Sequence, residues 1–212
     1  MKVKICGVQD RQTAQFAVKA GADAIGLVFA ESKRRISREQ AKEIAAALPS
    51  NILKIGVFVN ETKENLEAIF EEVGLTHVQL HGDESPDFCK KLDLPIIKAI
   101  QIASENDIQK INHYDCEYIL LDSPFGKYRG GNGTTFDWQL LANQEFQKDR
   151  LILAGGLTLE NVQEATELVN PFMVDVSSGV ETNGFKDMKK IKLFIEKVKA
   201  GGNENDNLHT SR

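Results

Sequence analysis

The segment LILAGGLTLENVQEATELVNPFMVDVSSG (151–179) contains a complete strand–helix–strand unit. Its apolar runs at 151–155 and 172–177 are nearly continuous in hydrophobic residues, which is typical of parallel strands buried on both faces. An amphipathic stretch at 160–169 lies between them and predicts the helix that connects two parallel strands. This segment therefore indicates an α/β protein with a parallel sheet.

The same unit recurs along the chain. Further strand-sized apolar runs lie at 3–6, 24–29, 52–59, 77–81, 95–100 and 118–122, and further helices are predicted at 37–48, 63–73 and 187–199. Residues that favour helix N-caps occur at Ser37, Thr62, Ser85, Ser104 and Thr158. Eight strand–helix units favour a closed (β/α)8 TIM barrel. An open doubly wound sheet is the alternative, but eight units exceed its usual number and no G-x-G-x-x-G follows the first strand.

Length and composition fit one barrel domain. The 212 residues are consistent with a single catalytic domain, which we place at residues 1–200. The polar, glycine-rich sequence of residues 201–212 predicts a disordered tail. A net charge of −5 without a basic stripe argues against nucleic acid as a partner. Because the longest apolar runs are only strand-sized, we expect no membrane-spanning helix and no membrane partner.

The cysteines bear on the cellular compartment. Cys6, Cys89 and Cys116 are widely spaced, form no C-x-x-C pair and are odd in number, so neither a disulfide framework nor a zinc site is expected. A reducing cytoplasm fits this usage, and the N-terminal MKVKICGVQD contains no apolar stretch typical of a signal peptide. Since no long exposed apolar helix face is evident, we expect a monomer.

Two glycine-containing loops predict a phosphate site. Gly155 and Gly156 follow the seventh strand, and Ser177, Ser178 and Gly179 follow the eighth. Glycine lets backbone N–H groups approach an anion closely, and a following helix N-terminus adds a favourable dipole. These are the loops that bind phosphate in many TIM barrels. The alternative is that the glycines only allow tight turns.

Asp122 and Cys6 are the candidates for acid–base chemistry, because each ends a strand where a barrel has its active site. A carboxyl group at Asp122 could act as a general acid if burial raised its pKa. A thiolate at Cys6, favoured by a nearby cation or a bound iminium ion, could abstract a proton. The alternatives are an ordinary loop hydrogen bond for Asp122 and a small core side chain for Cys6.

Other charged or reactive side chains have weaker cases. Arg34 or Arg35 could hold a substrate carboxylate, although charge runs are usually solvated. His81 follows the fourth strand and could contact substrate, whereas a strand lysine, Lys4 or Lys98, could form a Schiff base. Cys89 and Cys116 are interpreted as structural. The glycine-rich stretch 124–136 is predicted to be a mobile loop over the site, with Asp137 as a helix cap and Trp138 as a packing residue.

Taken together, seven motifs resemble phosphoribosylanthranilate isomerase of tryptophan biosynthesis. They are KICG, GADAIGLVF, SKRRIS, VQLHG, LLD…GGNGTTFDW, AGGLTLENV and VDVSSGVE, and they occur in order between residues 4 and 181, so that the resemblance covers residue 3 to about residue 200. Phosphate loops alone also occur in epimerases and in related barrels of histidine and tryptophan biosynthesis. The cysteine of KICG and the aspartate of LLD distinguish this family from those relatives.

The resemblance implies an Amadori rearrangement of a phosphorylated aminosugar, without a cofactor or metal. It implies that Cys6 is the base, that Asp122 is the acid and that Arg34 holds the anthranilate carboxylate, with Asp175 near the aminosugar. Arg35 replaces a residue that is often aromatic in relatives, which leaves Arg34 and Arg35 in competition. A Schiff-base aldolase or epimerase and a catalytically silent sugar-phosphate-binding protein are the alternatives.

Overall fold

Eight parallel strands surround a common axis in the computed structural model, which describes residues 1–124, 138–142 and 148–206. The strands are β1 (Lys2–Cys6), β2 (Ala24–Val28), β3 (Leu53–Phe58), β4 (His77–Leu80), β5 (Ile96–Gln101), β6 (Tyr118–Asp122), β7 (Leu151–Leu153) and β8 (Met173–Val176). Each pairs with the next, and β8 pairs with β1, so the sheet closes into a barrel. The predicted (β/α)8 barrel is therefore confirmed.

Helices follow the strands and cover the outside of the barrel. They are α1 (Arg11–Lys19), α2 (Arg38–Ala46), α3 (Lys63–Val73), α4 (Pro86–Lys90), α5 (Glu105–Gln109), α6 (Gln139–Ala142), α7 (Val162–Val169) and α8 (Met188–Asp206). After β8 the chain forms a 3-10 turn (Ser178–Val180) and a short hairpin of β9 (Glu181–Thr182) and β10 (Phe185–Lys186). In the sequence, this hairpin lies between β8, the last strand of the barrel, and α8.

Most of the predicted helix starts are confirmed. The side chains of Ser37, Thr62 and Ser85 accept hydrogen bonds from the first turns of α2, α3 and α4. The prediction for Thr158 is wrong, since α7 begins only after Asn161. The amide oxygen of Asn161 accepts a hydrogen bond from the Thr158 N–H at 2.7 Å, so residues 158–161 form a separate turn.

The alternation of strand residues divides the core into two layers. Outward-facing side chains such as Val3 and Ile5 pack against the helices, whereas the inner face of the barrel is filled by a separate apolar cluster. That cluster comprises Ala24, Ile55, Ile97, Ala99, Leu120, Ile152, Ala154 and Met173. Because strand neighbours two apart share a face, Lys4 and Cys6 both face the interior, as do Gln79 and His81. The inner face is therefore apolar in part and polar near the carboxyl ends of the strands.

Some predictions fall at or beyond the limits of the described chain. Trp138 is buried in the outer core, as expected of a packing residue. Residues 125–136 of the predicted loop and the predicted cap Asp137 lie outside the described residues. Helix α8 continues to Asp206, into the segment predicted as a tail, and residues 207–212 lie outside the described residues, so the tail stays a prediction.

Over the described ranges, no helix has both the length and the hydropathy required to cross a bilayer.

Candidate active site

A cavity of about 540 Å³ opens at the carboxyl ends of the strands. Its lining brings together most of the residues singled out from the sequence: Cys6, Arg34, His81, Asp122, Gly155, Gly156, Asp175, Ser177 and Ser178. Val28, Val57 and Leu157 supply apolar walls. Gly179 does not line the cavity. The cavity thus combines polar groups at one end of the barrel with apolar surface, as expected of a small-molecule site.

The two predicted phosphate loops lie against each other at the rim of this cavity. Gly155 and Gly156 adopt φ angles of 83° and 67°, which only glycine adopts readily. A Cβ atom on Gly155 would lie 2.6 Å from the backbone nitrogen of Ser123. At Gly179 a Cβ atom would overlap the carbonyl oxygen of Leu157, so glycine at this position lets the loops after β7 and β8 touch. The glycines therefore have a packing role whether or not they bind an anion.

Cys6 is buried at the end of β1, with its sulfur against the neighbouring strand. A Cβ atom on Gly26 of β2 would lie 2.7 Å from the Cys6 sulfur, so this glycine makes room for the thiol. Burial raises the pKa of Cys6; Lys4 and Lys186 oppose the rise and Asp175 adds to it. Cations are therefore present beside Cys6, as predicted, but they do not fully offset the effect of burial on the pKa of the thiol.

Asp122 is buried at the end of β6 with both carboxyl oxygens engaged. Its Oδ1 accepts a hydrogen bond from the Ser123 backbone N–H at 2.8 Å. Its Oδ2 lies 3.1 Å from Nε2 of His81. These contacts fix the plane of the carboxyl group at the cavity wall.

A chain of buried polar side chains connects β8, β1, β4 and β6 through the barrel interior. The Lys4 ammonium donates to Asp175 Oδ2 and to Gln79 Oε1, both at 2.8 Å. The Gln79 amide nitrogen lies 2.8 Å from Nδ1 of His81, which in turn contacts Asp122. Burial opposes the charge on Lys4, but Asp175 and Cys6 outweigh it and raise the pKa of the ammonium. Lys4 is therefore held in its charged form.

Asp175 occupies the other end of this chain. Its Oδ2 pairs with Lys4, whereas its buried Oδ1 has no hydrogen-bond partner within the part of the chain that the structure describes. An oxygen atom of this kind at a cavity wall is available to a donor on a ligand.

The basic turn after β2 separates its two neighbouring arginines. Arg34 is buried and lines the cavity, whereas Arg35 is exposed. The Arg34 guanidinium is held by Glu181, with Nε donating to Oε1 at 2.6 Å and Nη2 donating to Oε2 at 3.0 Å. Lys186 also donates to Glu181 at 2.7 Å. Burial opposes ionisation of Glu181, but Arg34 and Lys186 outweigh it and lower its pKa to about 2.

Three of these groups, Glu181, Lys186 and Gln79, were not predicted from the sequence, and the orientation of Lys4 was not predicted either. Glu181 and Lys186 lie on the hairpin after β8, and no hydrophobic pattern in the sequence predicts this hairpin. The inward orientation of Gln79 and Lys4 could have been predicted from the sequence. Gln79 lies two residues before His81, and Lys4 lies two residues before Cys6, so each shares a strand face with a candidate site residue. Polar residues at inward positions of an otherwise apolar strand indicate a buried network.

The remaining candidates lie outside the cavity. Lys98 faces the outside of the barrel, where its ammonium donates to Glu84 at 2.7 Å and to the Gly82 carbonyl at 2.8 Å. Cys89 and Cys116 are buried in the outer core. Within residues 1–124, 138–142 and 148–206, no group of three or more His, Cys, Asp or Glu side chains is placed to hold a metal ion.

Comparison with known proteins gives a consistent result over almost the whole chain. The family model for N-(5'phosphoribosyl)anthranilate (PRA) isomerase matches residues 3–197. A relative from Bacillus mycoides, N-(5'-phosphoribosyl)anthranilate isomerase, is 55% identical over 200 residues, which cover 94% of this chain and 98% of the relative.

Solved structures of the same family are similar in fold. A crystal structure of phosphoribosyl anthranilate isomerase in complex with reduced 1-(o-carboxyphenylamino)-1-deoxyribulose 5-phosphate matches with a TM-score of 0.83 and 41% identity, covering 94% of this chain and 99% of the other. A structure of monomers generated from the dimeric enzyme of Thermotoga maritima has the same TM-score, identity and coverage.

Proposed function

Because this chain belongs to the N-(5′-phosphoribosyl)anthranilate isomerase family, we propose that the cavity carries out that family's reaction with Cys6 and Asp122. The protein is an isomerase of tryptophan biosynthesis that acts on a small phosphorylated substrate. It converts N-(5′-phosphoribosyl)anthranilate into 1-(2-carboxyphenylamino)-1-deoxyribulose 5-phosphate by an Amadori rearrangement. The observation that carries the residue assignment is that Cys6, Asp122, Arg34 and the two glycine loops share one cavity.

The first proposed step opens the furanose ring. Asp122, as the acid, gives its proton to the ring oxygen while the C1–O bond breaks, which leaves an iminium ion between C1 and the anthranilate nitrogen. The carboxylate formed on Asp122 is then stabilised by hydrogen bonds from the Ser123 N–H and from His81. Proton transfer by a positioned group contributes about 10²–10⁴-fold.

In the second step, Cys6 removes the proton from C2. Burial raises the pKa of the thiol, so the thiolate depends on positive charge nearby. The iminium ion supplies this charge next to C2, in addition to Lys4 and Lys186. The electrons of the C2–H bond form the enolamine, which tautomerises to the ketone. One turnover leaves a proton on Cys6 and a charge on Asp122, so the pair must exchange a proton before the next turnover.

Both ends of the substrate are anchored in this proposal. The phosphate binds to backbone N–H groups of the loops with Gly155 and Gly156 and with Ser177, Ser178 and Gly179. Arg34 binds the anthranilate carboxylate with the N–H groups that Glu181 does not use. The Oδ1 of Asp175, which has no partner among the described residues, accepts a hydrogen bond from the sugar.

A Schiff-base mechanism is not favoured by the positions of the lysines. Lys98 faces the outer core, and Lys4 is held as an ammonium ion by Asp175, whereas an imine-forming lysine must be a free amine. Borohydride in the presence of substrate should therefore leave the protein without a covalent sugar adduct.

Assembly and compartment are further proposals. We infer a monomer, since within the described surface only Phe185 and Leu193 are exposed large hydrophobic side chains. Sedimentation velocity tests this inference, and a dimer at low micromolar concentration would contradict it. We infer a reducing cytoplasm from the three buried cysteines, which are all free thiols.

The activity assay follows the loss of anthranilate-type fluorescence on freshly prepared substrate. Cys6→Ser should lose most turnover because a hydroxyl is a far weaker base than a thiol, and Asp122→Asn should do so because the proton donor is gone. Cys116→Ala, which removes a buried thiol outside the cavity, is the matched control. Near-wild-type turnover in either site variant would refute the role of that residue.

A further inference from the structure

We propose that Lys4 and Gln79 hold His81 as the Nε2–H tautomer, and that His81 in this form positions the carboxyl group of Asp122. All three are therefore positioning residues. The inference rests on the acid role of Asp122 proposed above, and it assigns a further role to the buried hydrogen-bond chain that runs from Lys4 through Gln79 and His81 to Asp122.

Lys4 sets the direction of the hydrogen bonds in this series of side chains. An ammonium group has three donors and no acceptor, so the Gln79 atom 2.8 Å from Lys4 Nζ must be the amide oxygen. The Gln79 amide nitrogen therefore faces His81. Because an amide nitrogen can only donate, Nδ1 of His81 must accept and carries no proton.

The tautomer of His81 follows from this. A neutral imidazole with a bare Nδ1 carries its proton on Nε2, and Nε2 is the atom that faces Asp122 Oδ2 at 3.1 Å. His81 thus donates to Asp122 and has no lone pair on that nitrogen with which to accept. Asp122 cannot pass its proton to His81, so its proton can leave only towards the cavity.

The charge on Lys4 makes this arrangement robust. Lys4 is fully buried and pairs with Asp175 at 2.8 Å, and the same ammonium lies beside Cys6. Reversing the Gln79 amide would direct its NH₂ group at the ammonium and leave a buried donor without an acceptor, which is unfavourable. One lysine therefore orients the acid side of the cavity while it neutralises charge on the base side.

The test combines a spectroscopic signature with kinetics. In the free wild-type protein, ¹⁵N NMR of the histidine side chains should show His81 protonated at Nε2 and bare at Nδ1, assigned by its disappearance in His81→Asn. Gln79→Glu places a carboxylate opposite Nδ1, so His81 should become protonated at Nδ1. With Nδ1 protonated, kcat should fall roughly ten- to a hundredfold, part of the ~10²–10⁴ available to a general acid, with KM little changed.

Two further variants keep the inference testable. Gln79→Met, which removes the amide at similar volume, should free His81 to populate both neutral tautomers, with kcat between wild type and Gln79→Glu. Gln40→Glu, the same chemical change in the exposed first turn of α2, is the control and should alter neither the His81 signals nor kcat.

Clear outcomes would overturn the inference. A bare Nε2 on His81 in the wild-type protein would do so, and so would wild-type kcat in a folded Gln79→Glu protein with a protonated Nδ1. The tautomer is measured without substrate, so this result is separate from the proposed function. Full turnover of Asp122→Asn would instead refute the acid role and leave the tautomer assignment intact.

Discussion

Replacing Arg34 by methionine should weaken recognition of the anthranilate carboxylate, and Arg35→Met is the matched control. A guanidinium has five N–H donors. Glu181 takes Nε–H and one N–H of Nη2 from Arg34, which leaves both donors of Nη1 and one of Nη2 for a ligand. Arg35 is exposed, so its removal should change little, since surface charges usually contribute less than ~1 kcal/mol.

The magnitude follows from the type of contact. Hydrogen bonds to a charged partner in a buried site contribute about 1.5–3 kcal/mol. At 1.36 kcal/mol per decade, Arg34→Met should lower kcat/KM roughly ten- to a hundredfold or somewhat more. Removing Arg34 also leaves Glu181 with fewer partners, although Lys186 still pairs with it at 2.7 Å. The double variant Arg34→Met/Glu181→Gln removes both charges together and separates lost recognition from an unbalanced carboxylate.

The assay that isolates the carboxylate uses two ligands. Calorimetric titration with the reduced product analogue, and with the same compound made from aniline, compares binding with and without the carboxyl group. Arg34→Met should weaken binding of the first compound and leave the second nearly unchanged. Equal losses for both ligands, or a larger effect of Arg35→Met, would refute the assignment and transfer the carboxylate site to Arg35 or elsewhere.

Three further predictions concern the loops and the ion pairs. Gly156→Val should raise KM, because a side chain forces the loop from its φ of 67° and obstructs anion approach; unchanged KM in steady-state assays would move the phosphate site. Gly179→Ala should lower the free energy of unfolding by about 1–3 kcal/mol in urea titrations through overlap with Leu157, whereas Gly201→Ala, where a Cβ meets nothing within 4 Å, should not. Because the pKa of Glu181 is lowered in the folded protein, its carboxylate stabilises the fold at pH values above its ordinary pKa of 4.5. This stability is lost as the pH falls towards about 2. Wild type should therefore lose more unfolding free energy than Glu181→Gln between about pH 5 and about pH 3.

The fold could be predicted from local sequence because each strand is an apolar run that is buried on both faces. All eight predicted strands are present, and the end of each strand defines the site in this fold. That rule led to Cys6 and Asp122 directly. The rule does not distinguish Arg34 from Arg35, because a run of basic residues does not show which side chain faces the cavity. The structure of the turn is needed for that.

Long-range partners could not be predicted in the same way. Lys4 and Asp175 are far apart in sequence and meet only because the barrel closes, and Glu181 reaches Arg34 from a hairpin without an apolar pattern. The cap at Thr158 was wrong because Asn161, three residues later, competes for the same turn. Side-chain hydrogen bonds of this kind depend on geometry that the sequence does not state.

The closure of the barrel between β1 and β8 has a consequence for protein synthesis. Strand β1, which leaves the ribosome before β8, carries Cys6 and the lysine whose charge is neutralised by Asp175 on β8. Until β8 arrives, burying Lys4 would leave an ammonium ion without its partner, which is strongly unfavourable. A nascent or truncated chain that ends before β8 should therefore keep its amino-terminal strand exposed and remain inactive, a target for chaperones and proteases. Closure of the barrel and completion of the catalytic site are then the same event.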